Sequence, residues 1–517
     1  MRLLLAVSSL LAVAQAAYSC SNITLFGGVA ETDTFYVTSS SLVAADPATA
    51  VPEHCNITAR IGGRITVWAH LPTEWNGRFS QYGCGGGCGY NPFEDGTDTA
   101  APLKAGYAIS TTDMGNPELN YIAFYNNIQG KLDWGYLATH LTAMFSKQLI
   151  KAYYGSTPVY SYHIGGSTGG RQGLVEAQRY PDEFDGIVAI APAYNETGVT
   201  TYQITWMSQV SVANDSALTP LITANDTALI YAATLDACDE LDGLKDGIIV
   251  SPRLCNFSVS TLACSNGTSP LINTTACLSP TAVSVAEKIY SGPVNSAGIH
   301  LTLEGLLPGS EVNWDGSYIA SPPGPGAQGG FYAFAVQYLS YYAFFPDPPQ
   351  PIQPVDFSMD TPLSATAYIE NFEYGGNADL LKFRQLGGKL VMLQGLLDEA
   401  VAPWFAQDYF ERVVTAMGGR AEVDPFFRYF EMPGVNHVSG GPGADTFDEL
   451  ALIAAWVENG TAPEVIIASH VVNDVVEFTR PLYPWPLQAY YNSTAGGNVS
   501  EASSFYAADT AGPLRSL

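Results

Sequence analysis

The stretch GGSTGGR occupies residues 165–171 and contains a G-x-S-x-G turn centred on Ser167. A strand-like run at 159–164 precedes this turn, and the sequence QGLVEAQRY at 172–180 has the character of a helix. A serine between a strand and a helix is held in a strained backbone with its hydroxyl exposed, and flanking glycines avoid the collisions that a Cβ would cause. An accidental match in a glycine-rich chain is the alternative, but the flanking strand and helix favour a nucleophilic serine.

A serine nucleophile requires a base and a third group that orients the base. Asp398 comes just after a predicted strand at 389–393, and His437 lies in a loop after a predicted strand at 427–431. Acid before histidine is the order expected after an elbow serine. A helix cap or turn explains Asp398 by itself, and a structural role explains His437 by itself. The placement of all three residues together predicts a catalytic triad.

The tetrahedral intermediate of such a reaction needs two backbone N–H groups aimed at its oxyanion. The amide of Thr168, directly after the serine, is one candidate. The glycine-rich run GCGGGCG at 83–89 offers the second, from Gly85 or Gly86, because glycine lets the backbone approach closely. The alternative is that this run is only a flexible turn.

Strands and helices alternate over most of the chain, which is typical of an α/β protein with a parallel sheet covered on both faces. The clearest strands are predicted at 65–69, 107–112, 186–190, 389–393 and 427–431, with helices at 137–153, 405–417 and 446–458. The rhythm stops between 195 and 378, where proline, glycine, tyrosine and four cysteines concentrate. We therefore expect a catalytic domain of residues 17–194 and 379–517, interrupted by a lid domain at 195–378.

Aromatic side chains are dense in the second half of this expected lid. They are Tyr332, Phe334, Tyr338, Tyr341, Tyr342, Phe344 and Phe345. Two interpretations stay open: these rings stack against an aromatic substrate, or they form the core of the lid.

The first residues are typical of a secretory signal peptide at 1–16, with Arg2 before an apolar stretch at 3–13 and the sequence AQA at 14–16. No later apolar run reaches the ~20 residues of a transmembrane helix. Sequons agree with a secreted, extracellular glycoprotein, although a sequon only permits modification. The eleven N-x-Ser/Thr sequons are at Asn22, Asn56, Asn195, Asn214, Asn225, Asn256, Asn266, Asn273, Asn459, Asn492 and Asn498.

The 517-residue chain carries 21 Lys and Arg residues against 49 Asp and Glu residues, a formal net charge of −28. Such a negative field disfavours nucleic acid and anionic membranes as partners, and it suits an uncharged substrate. Acidic charge is also how many extracellular proteins stay dissolved. The charge therefore excludes classes of partner without identifying a substrate.

Eight cysteines in an exported chain are expected to form disulfides. They fall into two sets, Cys20, Cys55, Cys84 and Cys88, then Cys238, Cys255, Cys264 and Cys277. The sequence alone leaves the connectivity open.

The stretch CDELDGLKDGI at 238–248 places three aspartates at intervals of three and four, with glycines after two of them. Oxygen ligands of this kind suit a hard cation such as calcium, which takes six to eight of them and readily includes backbone carbonyls. The spacing differs from that of an EF-hand loop and lacks its closing glutamate. An acidic surface turn is the alternative.

The chain resembles the tannase/feruloyl esterase family of secreted α/β-hydrolases over nearly all of its mature length. The resemblance rests on LPTEWNGRF at 71–79, GYA at 106–108, GSTGGRQG at 166–173, FDGIV at 184–188, DG at 242–243 and 246–247, PGVNH at 433–437 and WVENG at 456–460. It implies the α/β-hydrolase fold, the triad of Ser167, Asp398 and His437, and a lid that shapes the acyl pocket. It also implies a structural calcium ion in the lid, held by the side chains of Asp239, Asp242 and Asp246 and the carbonyls of Leu244 and Ile248. The disulfides Cys238–Cys255 and Cys264–Cys277 follow from the same resemblance.

The chain departs from the family pattern at its cysteines. Many members join a cysteine before the nucleophile to one after the histidine, and those positions here are Gly166 and Val438. A C-terminal family cysteine is replaced by Tyr483. Conversely, Cys84 and Cys88 are additions in the glycine loop, where a tight local bridge would stiffen it; a CxxxC metal or redox site is the alternative. The remaining pairing would be Cys20–Cys55.

These features predict a secreted serine carboxylesterase that hydrolyses esters of phenolic acids, of feruloyl or galloyl type, free or linked to polysaccharide. One alternative is an ester or lactone hydrolase of secondary metabolism with another acyl preference. A second, from a different class, is a secreted glycoprotein that only binds ligands. A monomer or a homodimer is expected.

Overall fold

A computed structural model describes residues 18–94, 99–264, 277–320, 328–494, 496–509, 512 and 514. Within these residues, ten strands form one sheet and four form two hairpins near the C-terminus. The sheet strands are β1 (Gly27–Ala30), β2 (Asp33–Val43), β3 (His54–Ile61), β4 (Ile65–Pro72), β5 (Arg78–Tyr82), β6 (Ala108–Thr112), β7 (Tyr160–Gly166), β8 (Gly186–Ile190), β9 (Lys389–Gly395) and β10 (Phe427–Met432). The hairpin strands are β11 (Ile466–Val472), β12 (Val475–Leu482), β13 (Leu487–Tyr491) and β14 (Phe505–Asp509).

The sheet runs in the order β1-β2-β3-β4-β6-β5-β7-β8-β9-β10. The first four strands pair antiparallel, and β4 is also antiparallel to β6. The other six strands are parallel to one another, so their carboxyl ends meet at one edge. Each strand predicted from the sequence lies in this sheet, and loops after β7, β9 and β10 carry the predicted triad residues to that edge.

Helices cover both faces of the sheet. The outer elements are α1 (Ala100–Lys104), α2 (Ile128–Leu132), α3 (Ala138–Tyr154), α4 (Thr168–Arg179), α11 (Leu381–Gln385), α12 (Trp404–Ala416), α13 (Arg420–Val423) and α14 (Glu449–Asn459), numbered with the insertion helices given below. Side chains alternate across a strand: Ile187 of β8 packs in the core with α3 and α4, while Val188 packs in the core with α1 and α14. The α4 face and the α14 face are therefore separate cores.

The insertion after β8 is built mainly of helices. They are α5 (Thr205–Val210), α6 (Ala224–Cys238), α7 (Pro280–Ser291), α8 (Trp314–Ser317), α9 (Gly330–Tyr341) and α10 (Ala367–Glu373). The expected domain bounds remain a prediction. Tyr332, Tyr338 and Tyr342 of the aromatic group are fully buried, which agrees with a role in the core of the insertion.

A buried ion pair fastens the insertion to the catalytic part of the chain. The Lys131 ammonium donates to Asp347 Oδ1 at 2.6 Å and to the carbonyls of Tyr342 and Phe344 at 3.0 and 2.7 Å. Both side chains of the ion pair are fully buried. Removing either partner alone would leave an uncompensated charge, which typically costs about 3–5 kcal/mol.

All eight cysteines are paired, as Cys20–Cys55, Cys84–Cys88, Cys238–Cys255 and Cys264–Cys277. Cys238–Cys255 and Cys264–Cys277 are the pairs that the family resemblance implies, whereas the sequence leaves the pairing of the other four cysteines open. The four bonds lie elsewhere than Gly166 and Val438, and the loss of a family disulfide at those positions remains a prediction.

The expected signal peptide at 1–16 lies outside the described residues. The sequons at Asn266 and Asn273 also lie outside them. In the part of the chain that the structure describes, helices fall short of the length and apolar character that a membrane crossing requires. Sequons Asn22, Asn214, Asn225, Asn256, Asn459 and Asn498 are exposed.

Candidate active site

Ser167 occupies the sharp turn between β7 and α4 that the sequence predicts. Its backbone angles are φ 58° and ψ −125°, a conformation that side-chain-bearing residues rarely adopt. Gly165 makes the turn possible, because a Cβ there would lie 2.5 Å from the backbone of Gly169 in the first turn of α4. The serine is partly exposed although α4 around it is buried.

Gly166 and Val438 are in direct contact. A Cβ added to Gly166 would lie 2.7 Å from Val438 Cγ1 and 2.9 Å from Cγ2. Val438 itself has φ 67°, which is strained for a β-branched residue. Because these two residues directly precede Ser167 and follow His437, the contact brings the predicted nucleophile and base together.

Asp398 and His437, the predicted acid and base, are joined by a hydrogen bond. His437 Nδ1 lies 2.9 Å from Asp398 Oδ2. The buried carboxylate also accepts from Gln394 Nε2 at 2.8 Å and from the amides of Ala400 and Val401 at 2.9 and 2.8 Å. Four hydrogen bonds fix this carboxylate, so it can fix the imidazole in turn.

The electrostatic surroundings favour protonation of His437. Burial disfavours the charged imidazolium, but the charge and hydrogen bond of Asp398 outweigh burial and raise the pKa of His437 above its usual value. Its side chain remains 23% exposed. Among the described hydrogen bonds none joins Ser167 Oγ to His437, and such bonds commonly tighten only when substrate binds.

The glycine loop at 83–89 lies against the start of α4. A Cβ on Gly83 would lie 2.5 Å from Gly169 Cα, so loop and helix touch. The Gly85 amide donates to the Tyr90 hydroxyl at 3.1 Å, whereas Gly86 sits at φ 54°. Thr168 is the first residue of α4, and its amide lacks an acceptor within the helix.

Two further contacts brace this loop. Gln172 of α4 is buried, and its Nε2 donates to the Cys84 carbonyl at 3.3 Å. The same nitrogen lies 3.5 and 3.7 Å from the Sγ atoms of Cys84 and Cys88. Asn116 Nδ2 donates to the Gly87 carbonyl at 2.8 Å. The disulfide, glutamine and asparagine thus hold a loop that three glycines would otherwise leave mobile.

Two buried carboxyl groups, Glu196 beside His437 and Glu373 beside Glu196, have no counterpart in the sequence analysis. Burial, with the charge of Glu196, raises the pKa of Glu373 to about 8. Burial likewise raises the pKa of Glu196, whose charge acts on His437. Glu373 Oε1 accepts from the Tyr338 hydroxyl at 2.8 Å, and its carbonyl accepts from Arg171 of α4. Neither glutamate stands in a motif, so only the tertiary structure reveals their burial.

The predicted calcium loop folds tightly around its aspartates. Asp239 accepts from the amides of Gly247 and Ile248 at 3.0 and 3.2 Å. Burial raises the pKa of Asp242 to about 7, with Asp246 and Asp239 adding repulsion. Gly243 and Gly247 have φ of 88° and 84°, as the two turns of the loop require.

The donor set fits a hard cation in part. Asp242 and Asp239 are buried carboxylates, and Asp246 Oδ2 accepts from Arg480 at 2.7 Å. Across the described ranges, no three side chains of the His, Cys, Asp or Glu type converge as a ready metal site. A calcium ion here would therefore depend on the carbonyls of Leu244 and Ile248 as well.

The chain is similar in sequence and fold to known proteins. Residues 50–508 match the family described as "Tannase and feruloyl esterase". The chain is 33% identical to mono(2-hydroxyethyl) terephthalate hydrolase of Piscinibacter sakaiensis, over 89% of this chain and 86% of that protein. It is 31% identical to a probable feruloyl esterase B-2 of Aspergillus flavus, over 79% and 78% of the two chains. The solved structure of feruloyl esterase B from Aspergillus oryzae superposes with a TM-score of 0.78 at 25% identity, covering 95% and 99%.

The sheet, the serine turn and these structural neighbours define an α/β-hydrolase, which confirms the predicted fold class. The chain belongs to the tannase and feruloyl esterase family. It is a carboxylic ester hydrolase that takes a small ester as its substrate.

Proposed function

We propose that this protein is a serine carboxylesterase acting on esters of phenolic acids through Ser167, His437 and Asp398. The observation that carries the proposal is the hydrogen bond between Asp398 and His437. The contact between Gly166 and Val438 holds this pair beside the serine turn. A histidine fixed in this way next to a partly exposed serine supports catalysis over ligand binding alone.

The reaction would begin with the Ser167 Oγ attacking the ester carbonyl while its proton passes to His437 Nε2, the ring nitrogen that Asp398 leaves free. Asp398 stabilises the imidazolium that forms. Collapse of the tetrahedral intermediate breaks the ester C–O bond, and His437 returns the proton to the departing alcohol oxygen. Water repeats the sequence on the acyl-enzyme and releases the acid.

The oxyanion would be held by the Thr168 amide and by the glycine loop. Thr168 supplies the first amide of α4, where the helix dipole also favours negative charge. For the second donor, Gly85 would have to leave the Tyr90 hydroxyl, whereas Gly86 has no such competing bond among the described contacts. This favours Gly86 of the two predicted glycines.

The acyl group would be an uncharged aromatic acid. The names of the two relatives refer to feruloyl and terephthalate esters, both aromatic. The net charge of −28 disfavours an acyl group with a second carboxylate. A phenolic acid meets both conditions.

Two features beyond the reaction are part of the proposal. Calcium held by Asp239, Asp242, Asp246 and the carbonyls of Leu244 and Ile248 would neutralise buried charge and stiffen the insertion. Four disulfides and exposed sequons support a secreted glycoprotein.

Labelling with a serine-reactive fluorophosphonate tests the proposal. We expect wild-type protein to be labelled, Ser167→Ala to be unlabelled, and the exposed-residue control Ser156→Ala to be labelled like wild type. Hydrolysis of methyl ferulate, methyl caffeate and methyl gallate, beside mono(2-hydroxyethyl) terephthalate, then tests the acyl group. Labelling that persists in Ser167→Ala, or cleavage of the terephthalate ester alone, would contradict the assignment.

A further inference from the structure

Asn313 of the insertion contacts both loops that carry the proposed acid and base. Its side-chain nitrogen Nδ2 donates to the Leu397 carbonyl at 2.9 Å and to Asn436 Oδ1 at 2.7 Å. Leu397 directly precedes Asp398 in the acid loop, residues 396–401 after β9. Asn436 directly precedes His437 in the base loop, residues 433–438 after β10. A side-chain amide nitrogen has two hydrogens to donate, and Asn313 uses one for each loop.

The insertion holds the acid loop on both sides of Asp398. On one side, the Leu397 carbonyl accepts from Asn313. On the other side, the hydroxyl of Tyr318 donates to the Glu399 carbonyl at 2.7 Å, and Tyr318 is fully buried. The two carbonyls that flank Asp398 in the chain therefore both accept from the insertion.

The two loops also bond to each other where they leave the sheet. The Leu396 amide donates to the Met432 carbonyl at 3.0 Å, and the Leu397 amide donates to the Val435 carbonyl at 2.9 Å. Asn313 continues this series, because it links the Leu397 carbonyl to the next residue of the base loop, Asn436. The bridge through Asn313 is thus the step that comes just before the acid and the base.

The segment around Asn313 is rigid enough to hold the loops. Asn313 ends the 3-10 turn Ser310–Asn313 and precedes Trp314, which is fully buried and donates from Nε1 to Ser310 Oγ at 3.1 Å. In the same turn, the buried carboxyl group of Glu311 accepts from the Gly309 amide at 3.0 Å. A side chain on a segment fixed by packing and hydrogen bonds can position other residues precisely.

The separation of the two loops determines the length of the bond between His437 Nδ1 and Asp398 Oδ2, which is 2.9 Å. Hydrogen bonds weaken steeply when they are stretched or bent. A displacement of about 1 Å at a catalytic group can lower the rate by about a hundredfold. Asn313 can therefore affect the reaction through these two residues without touching the substrate.

We propose that Asn313 is a positioning residue for the reaction, through which the insertion keeps the acid and base loops at the separation that the bond between Asp398 and His437 requires. The inference rests on the proposed esterase function and deepens it. It gives the insertion a part in the chemical step, in addition to any contact with the substrate.

Asn313→Leu tests the inference, because it removes both donated hydrogen bonds and keeps a side chain of similar size. We expect kcat for methyl ferulate to fall by about tenfold or more, with KM within about twofold of the wild-type value. The matched control Gln350→Leu replaces an exposed amide side chain elsewhere in the insertion and should behave as wild type.

The pH dependence of kcat/KM separates positioning from a general structural role. Asp398, Glu399 and Glu196 all raise the pKa of His437 through their charges, and Asp398 also through its hydrogen bond. If the bond from Asp398 is loosened, the pKa of His437 falls toward its usual value. We therefore expect the acid limb of the profile to move to lower pH in Asn313→Leu and to stay in place in Gln350→Leu.

Two further variants keep the test informative. Asn313→Ser is a smaller change and should shift kcat and the acid limb in the same direction. Asn436→Ala removes the acceptor in the base loop and should also lower kcat. In Asn313→Leu/Asn436→Ala the loss should be smaller than the product of the two single losses, because both changes remove one shared bond.

Circular dichroism and thermal denaturation establish which variants are folded. In the folded Asn313 variants, either a wild-type kcat or an unshifted acid limb would overturn the inference, as would an equal loss in Gln350→Leu. The esterase proposal would stand in each of these cases. If wild-type protein is neither labelled by fluorophosphonate nor able to cleave methyl ferulate, the esterase proposal itself fails.

Discussion

Gly166 and Val438 fit together only because position 166 has no side chain, since a single added Cβ would lie 2.7 Å from Val438 Cγ1. We expect Gly166→Ala to push Val438, and with it His437, out of position and to lower kcat by about a hundredfold, the cost of a displacement of about 1 Å at a catalytic group. Steady-state kinetics on methyl ferulate measure the effect.

The second-site variant Gly166→Ala/Val438→Gly supplies the control, because glycine removes the colliding methyl groups and also accepts the positive φ at 438. It should recover most of the lost activity. If the double variant is as inactive as the single one, the collision is not the cause of the loss.

The hydrogen bond from His437 to Asp398 predicts the pH dependence of hydrolysis. The pKa of His437 is raised above its usual value, and only the neutral imidazole accepts the serine proton, so activity should increase as pH rises through this raised pKa. Asp398→Asn should lower kcat by roughly 10⁴-fold, as loss of the orienting carboxylate does in serine hydrolases. A pH profile of kcat/KM checks the first statement, and single-turnover kinetics check the second. A profile that is flat between pH 5 and about 8 would contradict the role of His437.

The disulfide between Cys84 and Cys88 should matter for catalysis more than for folding. It closes only a short loop, so by the loop-entropy argument its removal should destabilise the chain by about 2 kcal/mol, less than for a longer loop, whereas the loop it braces is the proposed second oxyanion donor. We expect Cys84→Ser/Cys88→Ser to lower kcat by about tenfold or more with nearly unchanged KM.

Gln172→Leu, which removes the donor to the Cys84 carbonyl, should produce a smaller loss in the same direction. Cys264→Ser/Cys277→Ser, far along the chain in the insertion, serves as the disulfide control. Equal kcat losses in both double variants would mean that the two disulfides affect activity only through the stability of the folded protein.

Glu373 should make the protein less stable as the pH rises. Its folded pKa is about 8, against 4.5 for the ordinary side chain, so between these values the folded state holds a proton that the unfolded state has released. The free energy of unfolding then falls with pH, by at most about 1.4 kcal/mol per pH unit from this group. We expect Glu373→Gln to flatten the decline in Tm between pH 5 and about 8. The exposed control Glu74→Gln should leave the profile as in wild type; a slope unchanged in Glu373→Gln would refute the assignment.

Calcium should stabilise the protein, and more strongly at higher pH. Because its pKa is raised to about 7, Asp242 is protonated in mildly acidic solution. The proton then competes with a cation for the carboxylate oxygens. At calcium concentrations a hundred times Kd, binding would add about 2.7 kcal/mol to the free energy of unfolding. Scans of Tm with calcium and with EDTA at pH 5 and 8 measure this. Asp242→Asn should remove most of the calcium response, and Asp236→Asn, at an exposed aspartate, should keep it.

The sequence predicts the core of the fold and the triad because these features leave local patterns. Buried parallel strands such as β8 and β9 are short apolar runs, and the serine turn has a fixed arrangement of glycines. Strand β2 is not predicted, because only Phe35 and Val37 of its eleven residues are buried and its serines resemble a loop.

Other parts of the site depend on contacts between distant segments. The hydrogen bond from the Gly85 amide to the Tyr90 hydroxyl depends on the path of the loop. It cannot be predicted from the residue types alone. Glu196 and Glu373 look like ordinary surface residues until the fold buries them near Arg171. A cavity of about 610 Å³ beside Gly166 takes its lining residues from separate parts of the chain between Tyr82 and Ala451.

The Lys131–Asp347 pair has a consequence for protein engineering. The ammonium of Lys131 is enclosed by three oxygens that all come from the segment at 342–347 of the insertion. Two of these oxygens are backbone carbonyls, but a chimera whose insertion lacks an acidic residue at position 347 would bury a lysine without its counter-charge. Grafts intended to change substrate preference need to move position 131 and the insertion as one unit.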